Sequence, residues 1–269
     1  MTTRSRRQVR TAGLTLLTTG LVLALTVPTA AAKPPTGFLT ADSPFITLDP
    51  GLPAGASVNA IISSGDEIGD FMFEGIPDGI GIRPGADKHT VDVYVAHEQT
   101  TIPFFGTRDF QDASVSRLTL ATKGPNRGAV LDADVALSPD EHFLRFCSAS
   151  MAGPDQGLDD YVFFTGEEAN DTVAGVQRGF AVALNTETGV NTAVPGMGRL
   201  NHENTMVIPG GWDDGLVMLT TDDTFSGPSA QLYMYVADDQ DASAPETDIT
   251  VHRAESKTAA LPSPRARCV

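Results

Sequence analysis

Two short segments of the chain place a histidine and a glutamate side by side at the end of an apolar run. The first is VYVAHEQTTIP, with His97 and Glu98, and the second is GRLNHENTMVIPGG, with His202 and Glu203. Acidic pairs also end the runs YVFFTGEE and LVMLTTDD. Carboxylates gathered in one place repel each other unless cations neutralise them, so these segments, if they converge, predict a site for Ca²⁺ or another hard cation. The acids concerned are Glu98, Glu167, Glu168, Glu203, Asp222 and Asp223.

The apolar runs have the length and composition of β-strands. They are VDVYVAH, SVSRLTLAT, YVFFTG, GFAVALNT, GLVMLTT and QLYMYVAD, all rich in Val, Tyr, Phe and Thr. Clusters of Gly, Pro, Asn and Asp separate them, and NTETGV between two of them predicts a hairpin turn. The pattern predicts an all-β fold, built as a sandwich, a barrel or a propeller.

A weak internal repeat favours the propeller. Residues 91–122, 160–188 and 215–238 each contain a strand that ends in acids, a polar connection and a partner strand. Units of roughly forty to fifty residues are typical of propeller blades, so we expect a β-propeller-like array of about four blades over residues 55–240. A lead-in at 33–54 precedes it, and an irregular tail at 241–269 follows. The array is then incomplete, and either a truncated chain or a natural disordered tail explains this.

The first thirty-two residues predict a secretory signal peptide. They run from a basic head, RSRRQVR, through an apolar stretch to the small residues of PTAAAK. The Arg6-Arg7 pair leaves twin-arginine and ordinary Sec export both open. We therefore expect a secreted or cell-surface protein without a membrane span, acting as a monomer.

The charge and the cysteines narrow the partners further. Removing the signal peptide takes four arginines from a chain of formal net charge −16, which argues against nucleic acid and anionic membranes as partners. Two cysteines, Cys147 and Cys268, leave a disulfide open, with Cys147 as a buried apolar residue the alternative. The sequence lacks G-x-S-x-G, H-E-x-x-H and Walker motifs, so nucleophile-elbow hydrolases, zincins and P-loop enzymes are excluded.

Three blocks, taken in order, resemble a known family. They are PDGIGIRPGADKHTVDVYVAHEQT, then FCSASMAG with DDYVFFTGEEAND, then GRLNHENTMVI with LVMLTTDDTFSGPSAQLYMYVAD. They are similar to the secreted PhoX-type alkaline phosphatases and their relatives, over about residues 58–238. The resemblance implies a β-propeller exported by the twin-arginine route, with iron and calcium at the mouth of its channel.

Carried over residue by residue, the resemblance implies Cys147 as an iron ligand and Ca²⁺ and Fe³⁺ as the ions. Arg199, four residues before Glu203, is then placed to clamp a phosphate through two parallel hydrogen bonds. The first block has A-H-E where the family has N-H-E, and the loop after Cys147 lacks the phosphatases' tryptophan. The candidate metal ligands are Glu98, Cys147, Glu167, Glu168, Glu203, Asp222 and Asp223.

The function expected on this basis is metal-dependent hydrolysis of small phosphate monoesters by a secreted, phosphatase-like β-propeller. Two alternatives stay open. One is a non-enzymatic, calcium-stabilised binding or cell-surface propeller, which accounts for the acids and the strands without needing Cys147. The other is an inactive, truncated fragment of the phosphatase family.

Overall fold

The regular structure in the described part of the chain consists almost entirely of antiparallel β-strands. The structure, a computed structural model, describes residues 37–100, 111–169, 171–209, 215–224, 230–238 and 267–268. It is 47% strand, and these ranges contain no α-helix, only three short 3-10 turns. The predicted all-β class is therefore confirmed. The strands are β1 (Glu67–Ile68), β2 (Phe71–Met72), β3 (Pro77–Pro84), β4 (Thr90–His97), β5 (Ser114–Ala121), β6 (Val130–Leu137), β7 (Phe146–Ala152), β8 (Val162–Glu167), β9 (Thr172–Val173), β10 (Val176–Gln177), β11 (Ala181–Asn185), β12 (Asn191–Ala193), β13 (His202–Val207), β14 (Gly215–Asp222), β15 (Leu232–Asp238) and β16 (Arg267–Cys268).

Twelve of these strands form three four-stranded sheets. Sheet 1 has the order β3-β4-β5-β6, sheet 2 the order β7-β8-β11-β12 and sheet 3 the order β13-β14-β15-β16. Within each sheet every strand pairs with the next along the chain, and all the pairs are antiparallel. The remaining strands form two short hairpins, β1–β2 and β9–β10. The result is several separate antiparallel sheets, none of which closes into a barrel.

The three units of the sequence repeat occupy matching places in the three sheets. Residues 91–122 contain β4 and β5, residues 160–188 contain β8 and β11, and residues 215–238 contain β14 and β15. These are the second and third strands of each sheet. The described residues contain three such sheets, against the four blades expected, and part of the predicted irregular tail pairs with β15 as β16.

The cores lie between neighbouring sheets. Phe163 and Phe164 are consecutive on β8 and point to opposite faces of sheet 2, as strand geometry requires. Phe163 packs with Tyr94 of sheet 1, their ring centroids 5.8 Å apart, whereas Phe164 belongs to a cluster with Met218 of sheet 3. Because both of its faces are covered, β8 is a continuous buried run, which is why its sequence does not alternate.

The first strands of the three sheets adjoin one another: β3 packs along β7, and β7 along β13. This arrangement brings the starts of three strands from separate parts of the sequence together. The predicted signal peptide lies outside the described residues, as does most of the predicted tail. In the described ranges no helix has the length and apolar character needed to cross a membrane.

Candidate metal centre

The first strand of each four-stranded sheet carries a β-bulge near its beginning. The pairing register with the second strand shifts inside β3, β7 and β13. A bulge inserts one extra residue and redirects a side chain out of the regular alternation. In each case the second residue of the strand lies at the shift: Asp78 in sheet 1, Cys147 in sheet 2 and Glu203 in sheet 3.

A second acidic side chain is held beside each bulge by one recurring hydrogen bond. The residue just after the second strand donates its backbone N–H to the carbonyl two residues before the bulge residue. These bonds are Glu98 N to Ile76 O at 3.0 Å, Glu168 N to Arg145 O at 2.9 Å and Asp223 N to Asn201 O at 3.0 Å. Every sheet therefore offers one donor from its bulge and one from the end of its second strand.

Five of these side chains form two overlapping triads. The first triad is Asp78, Glu98 and Cys147, and the second triad is Cys147, Glu168 and Glu203. Within each triad one donor atom from every residue lies within 4.8 Å of the others. Each triad thus combines the bulge and post-strand residues of one sheet with the bulge residue of the next, and Cys147 belongs to both.

The thiol of Cys147 sits among three carboxylates. Its Sγ is 3.7 Å from Asp78 Oδ2, and it also hydrogen-bonds with Glu168 and Glu203. Burial, the hydrogen bond to Glu168 and the charges of Asp78 and Glu203 hold the pKa of this thiol well above its usual range. A single S–H group cannot donate hydrogen bonds to three carboxylates at once. The thiol therefore leaves most of the surrounding carboxylate charge uncompensated.

The carboxylates of the two triads are themselves perturbed. Burial, and then the charges of Glu168 and Asp78, raise the pKa of Glu98, while Arg145 lowers it. The pKa of Glu203 is raised chiefly by burial, with Glu168 adding to the effect, and its Oε2 is buried without a hydrogen-bond partner among the described residues. Burial likewise raises the pKa of Asp78. Ionising several acids in one place is energetically costly, and a bound cation lowers that cost.

The triads have dimensions that suit metal ions. Ligand atoms bind Zn²⁺ at about 2.0–2.3 Å and Ca²⁺ at about 2.3–2.6 Å, so donors on opposite sides of one ion are about 4–5 Å apart. The 4.8 Å limit within each triad matches that separation. The donors are carboxylate oxygens and a thiol, and both residue types bind metals when deprotonated. The residues present therefore fit metal ions.

Glu167, predicted as a ligand beside Glu168, lies away from both triads. It is the last residue of β8, and its side chain is fully buried. Its carboxylate accepts hydrogen bonds from the backbone N–H groups of Leu144, Gly179 and Phe180 and from the guanidinium of Arg178. Both oxygens are thus held by protein donors, and the residue ties sheet 2 to the loops around it.

The two predicted aspartates of sheet 3 also stand outside the triads. Asp222 accepts a 2.7 Å hydrogen bond from the hydroxyl of Thr224. Asp223 occupies the post-strand position of sheet 3, and its charge raises the pKa of Glu203. It is near the second triad but is not a member of it.

Arg199, predicted as the phosphate ligand, is turned away from the triads. Its guanidinium carbon lies 3.3 Å from the centroid of the Phe180 ring, a cation–π contact. Its charged neighbours are Glu167 and Arg178, and burial lowers its pKa. Arg199 forms no ion pair with Glu203 among the ion pairs of the described residues.

The two histidines of the H-E pairs are buried hydrogen-bonding residues. His97 Nε2 lies 2.8 Å from Ser116 Oγ, and His202 Nδ1 lies 3.0 Å from Thr220 Oγ1. Burial lowers the pKa of His202 to about 4, so its imidazole is neutral near pH 7. Each histidine therefore links its own strand to the next one by a hydrogen bond, beside a triad residue. Cys147 is a free cysteine, and the side chain of Cys268 lies outside the described residues.

Asp78 is the triad residue that the sequence reasoning missed. It lies in PDGIGIRPG, a stretch rich in turn-forming residues that nonetheless opens β3. A signal was present in the spacing, because Asp78 precedes Glu98 by the same interval, about twenty residues, that separates Cys147 from Glu168 and Glu203 from Asp223. Aligning the repeat on its first strands would have exposed it.

Comparisons with known proteins neither support nor oppose the family resemblance. No protein-family model, curated protein or solved structure matches this chain. The repeated bulges and the shared cysteine therefore carry the functional argument.

Proposed function

We propose that the chain binds two metal ions, one at each triad, and that Cys147 would be a ligand common to both sites. The observation that carries this proposal is the shared position of Cys147, within 4.8 Å of two acids on one side and two on the other. Removing Cys147 therefore affects both sites, whereas removing any one acid affects one.

The donor set favours a softer and a harder cation together. A thiolate suits iron as well as zinc, whereas carboxylate oxygens suit Ca²⁺ and ferric iron. We assign Fe³⁺ and Ca²⁺ to the two triads, one ion to each, because iron and calcium are the ions that the resemblance to the PhoX-type phosphatases implies. Metal analysis of the purified protein tests the assignment through the identity and the number of the ions.

The proposed architecture is that of a β-propeller-like array. Three consecutive four-stranded sheets, each meandering in chain order and each with its first strand beside the next sheet's first strand, support it. In such an array the first strands line the central channel, so the triads would face into that channel.

The proposed activity is hydrolysis of small phosphate monoesters. Bound cations of this kind offset the negative charge that develops on a phosphoryl group during hydrolysis. The protein's part is to hold the donors: the bulges aim Asp78, Cys147 and Glu203, and the backbone hydrogen bonds fix Glu98 and Glu168. Cys147 must give up its proton to act as a ligand, so metal binding would release that proton to solvent.

The activity is tested with p-nitrophenyl phosphate as the substrate. The protein loaded with Fe³⁺ and Ca²⁺ should hydrolyse it, and EDTA should abolish the turnover. Cys147→Ser should lose iron and activity together while circular dichroism reports an intact fold. Asp222→Asn is the matched control, since Asp222 is a nearby acid outside both triads. Full metal occupancy without turnover of any phosphate monoester would remove the enzymatic proposal.

A calcium-stabilised, non-enzymatic scaffold is the second candidate. The position of Arg199 favours it, because the predicted phosphate ligand packs on Phe180 instead of facing the triads. On this alternative, ions raise the melting temperature without conferring turnover, and Cys147→Ser leaves the calcium content unchanged. Thermal melts of metal-free and calcium-loaded protein, run beside the activity assay, separate the two functions.

A further inference from the structure

Arg145 is fixed at the junction of the two triads by its backbone. Its N–H donates to Gln99 O at 2.6 Å, and its carbonyl accepts from Glu168 N at 2.9 Å. Gln99 directly follows Glu98, an acid of the first triad, and Glu168 is an acid of the second triad. The backbone of Arg145 therefore links the neighbourhoods of the two triads. Arg145 also has a φ of 44°, in the left-handed region that non-glycine residues rarely occupy. Such strained positions concentrate at functional sites.

The guanidinium of Arg145 has donors to spare. A guanidinium carries five N–H donors, and Nη2 of Arg145 donates one hydrogen bond, to Asp171 Oδ2 at 2.8 Å. Asp171 is 60% exposed, so this ion pair is weak and replaceable. The Nε atom is buried without a hydrogen-bond partner among the described residues. The charge of Arg145 also lowers the pKa of Glu98, an acid of the first triad.

The other arginines around sheet 2 are engaged elsewhere. Arg178 bonds to the buried Glu167 and to the carbonyl of His142, and Arg199 packs on the Phe180 ring. The charge of Arg145, in contrast, acts on the triad carboxylate of Glu98. A planar guanidinium beside a cation centre suits the bidentate recognition of a phosphoryl group.

We propose that Arg145, and not Arg199, binds the phosphoryl oxygens of the ligand at the metal centre. This inference rests on the proposed function, because the ligand is the phosphoryl group that the bound cations attract. Arg145 exchanges the exposed Asp171 carboxylate for the phosphoryl oxygens when the ligand arrives. The ligand class is a phosphoryl oxyanion, presented by a monoester or by free inorganic phosphate.

Binding of inorganic phosphate to the Fe³⁺- and Ca²⁺-loaded protein, measured by titration calorimetry, tests the proposal without depending on turnover. We expect Arg145→Met to weaken phosphate binding at least tenfold and Arg145→Lys to restore part of the loss, with the metal content of both unchanged. Arg199→Lys and Asp171→Asn serve as controls and should stay within about twofold of the unsubstituted protein. The KM for phenyl phosphate is measured in parallel. A higher KM in Arg145→Met than in the unsubstituted protein would extend the role of Arg145 from free phosphate to the ester.

The outcomes separate this inference from the function on which it rests. Equal phosphate affinity in Arg145→Met and the unsubstituted protein overturns the role of Arg145 and leaves phosphatase activity standing. Equal losses in Asp171→Asn and Arg145→Met, with matching drops in melting temperature, show a purely structural ion pair and also overturn it. A metal-loaded protein that binds no phosphate overturns both proposals.

Discussion

A β-carbon on Gly79 would lie 2.2 Å from the backbone nitrogen of Ala149, so β3 and β7 approach each other backbone to backbone. Gly79 follows Asp78, and Ala149 is two residues beyond Cys147. Only a residue without a side chain permits this contact, because real β-carbons do not approach other atoms so closely. The glycine thereby sets the separation of the two bulge residues in the first triad.

Gly79→Ala should therefore empty the first triad without removing a ligand. The new methyl group forces β3 away from β7 and carries Asp78 away from Cys147. Gly166→Ala is the matched variant, since its β-carbon would lie 2.3 Å from the β-carbon of His202 and would disturb β8 against β13, at the second triad. Metal stoichiometry by elemental analysis should fall by about one ion in each variant. Retention of both ions in Gly79→Ala would contradict the role given to the contact.

Single-ligand variants should divide the two sites. We expect Glu98→Gln to weaken one ion and Glu168→Gln the other, each by at least about tenfold, the loss that even outer-shell changes produce. Glu98 belongs only to the first triad and Glu168 only to the second. Competition titrations with a chelator report the two affinities separately. Simultaneous loss of both ions from either variant would indicate a single site.

Metal uptake should strengthen as the pH rises. The pKa values of Asp78, Glu98 and Glu203 are raised by burial, so the folded protein without metal holds protons that binding must release. The same shifts mean that the metal-free fold gains stability below the ordinary carboxyl pKa values and loses it as the pH rises through the raised ones. As the pH is raised from 4, the melting temperature of the protein in EDTA should therefore fall further and further below that of the metal-loaded protein. Parallel curves would show that these acids do not bind the ions.

Glu167→Gln should destabilise the fold without altering metal content. It removes a fully buried carboxylate that faces Arg178 and three backbone N–H groups, and breaking a buried ion pair costs about 3–5 kcal/mol. Glu187→Gln is the control, because Glu187 pairs with Arg83 at a 47% exposed position and should cost less than about 1 kcal/mol. Urea unfolding measures both. Loss of an ion from Glu167→Gln at unchanged stability would restore it as a ligand.

His202 should make the fold sensitive to mild acid. Its pKa is about 4 in the fold, against an ordinary value of 6.5, so the unfolded chain binds a proton first. The stability contributed by the neutral imidazole is complete above pH 6.5 and is lost as the pH falls toward 4, by an amount on the order of 3 kcal/mol. The stability difference between the unsubstituted protein and His202→Asn should shrink over that range.

The spacing of the acids predicted part of the centre but could not sort its members. Glu167 and Glu168 are neighbours in the sequence and looked equivalent, yet successive strand residues point to opposite sides. One consequently meets Arg178 and backbone donors, while the other meets Cys147. The sequence likewise predicted Arg199 as the phosphate ligand, because its packing on the Phe180 ring is not visible in the sequence.

The sequence by itself determined the all-β class, the three repeated strand pairs and the acids at their ends, because period-two patterning and turn residues are local properties of the chain. The tertiary structure alone decided that Asp78 and Cys147 meet, that Cys147 serves two triads and that Glu167 serves neither. The physical reason is that β-bulges and the glycine contact between β3 and β7 set side-chain directions and strand separations, and these depend on pairing between segments far apart in the chain.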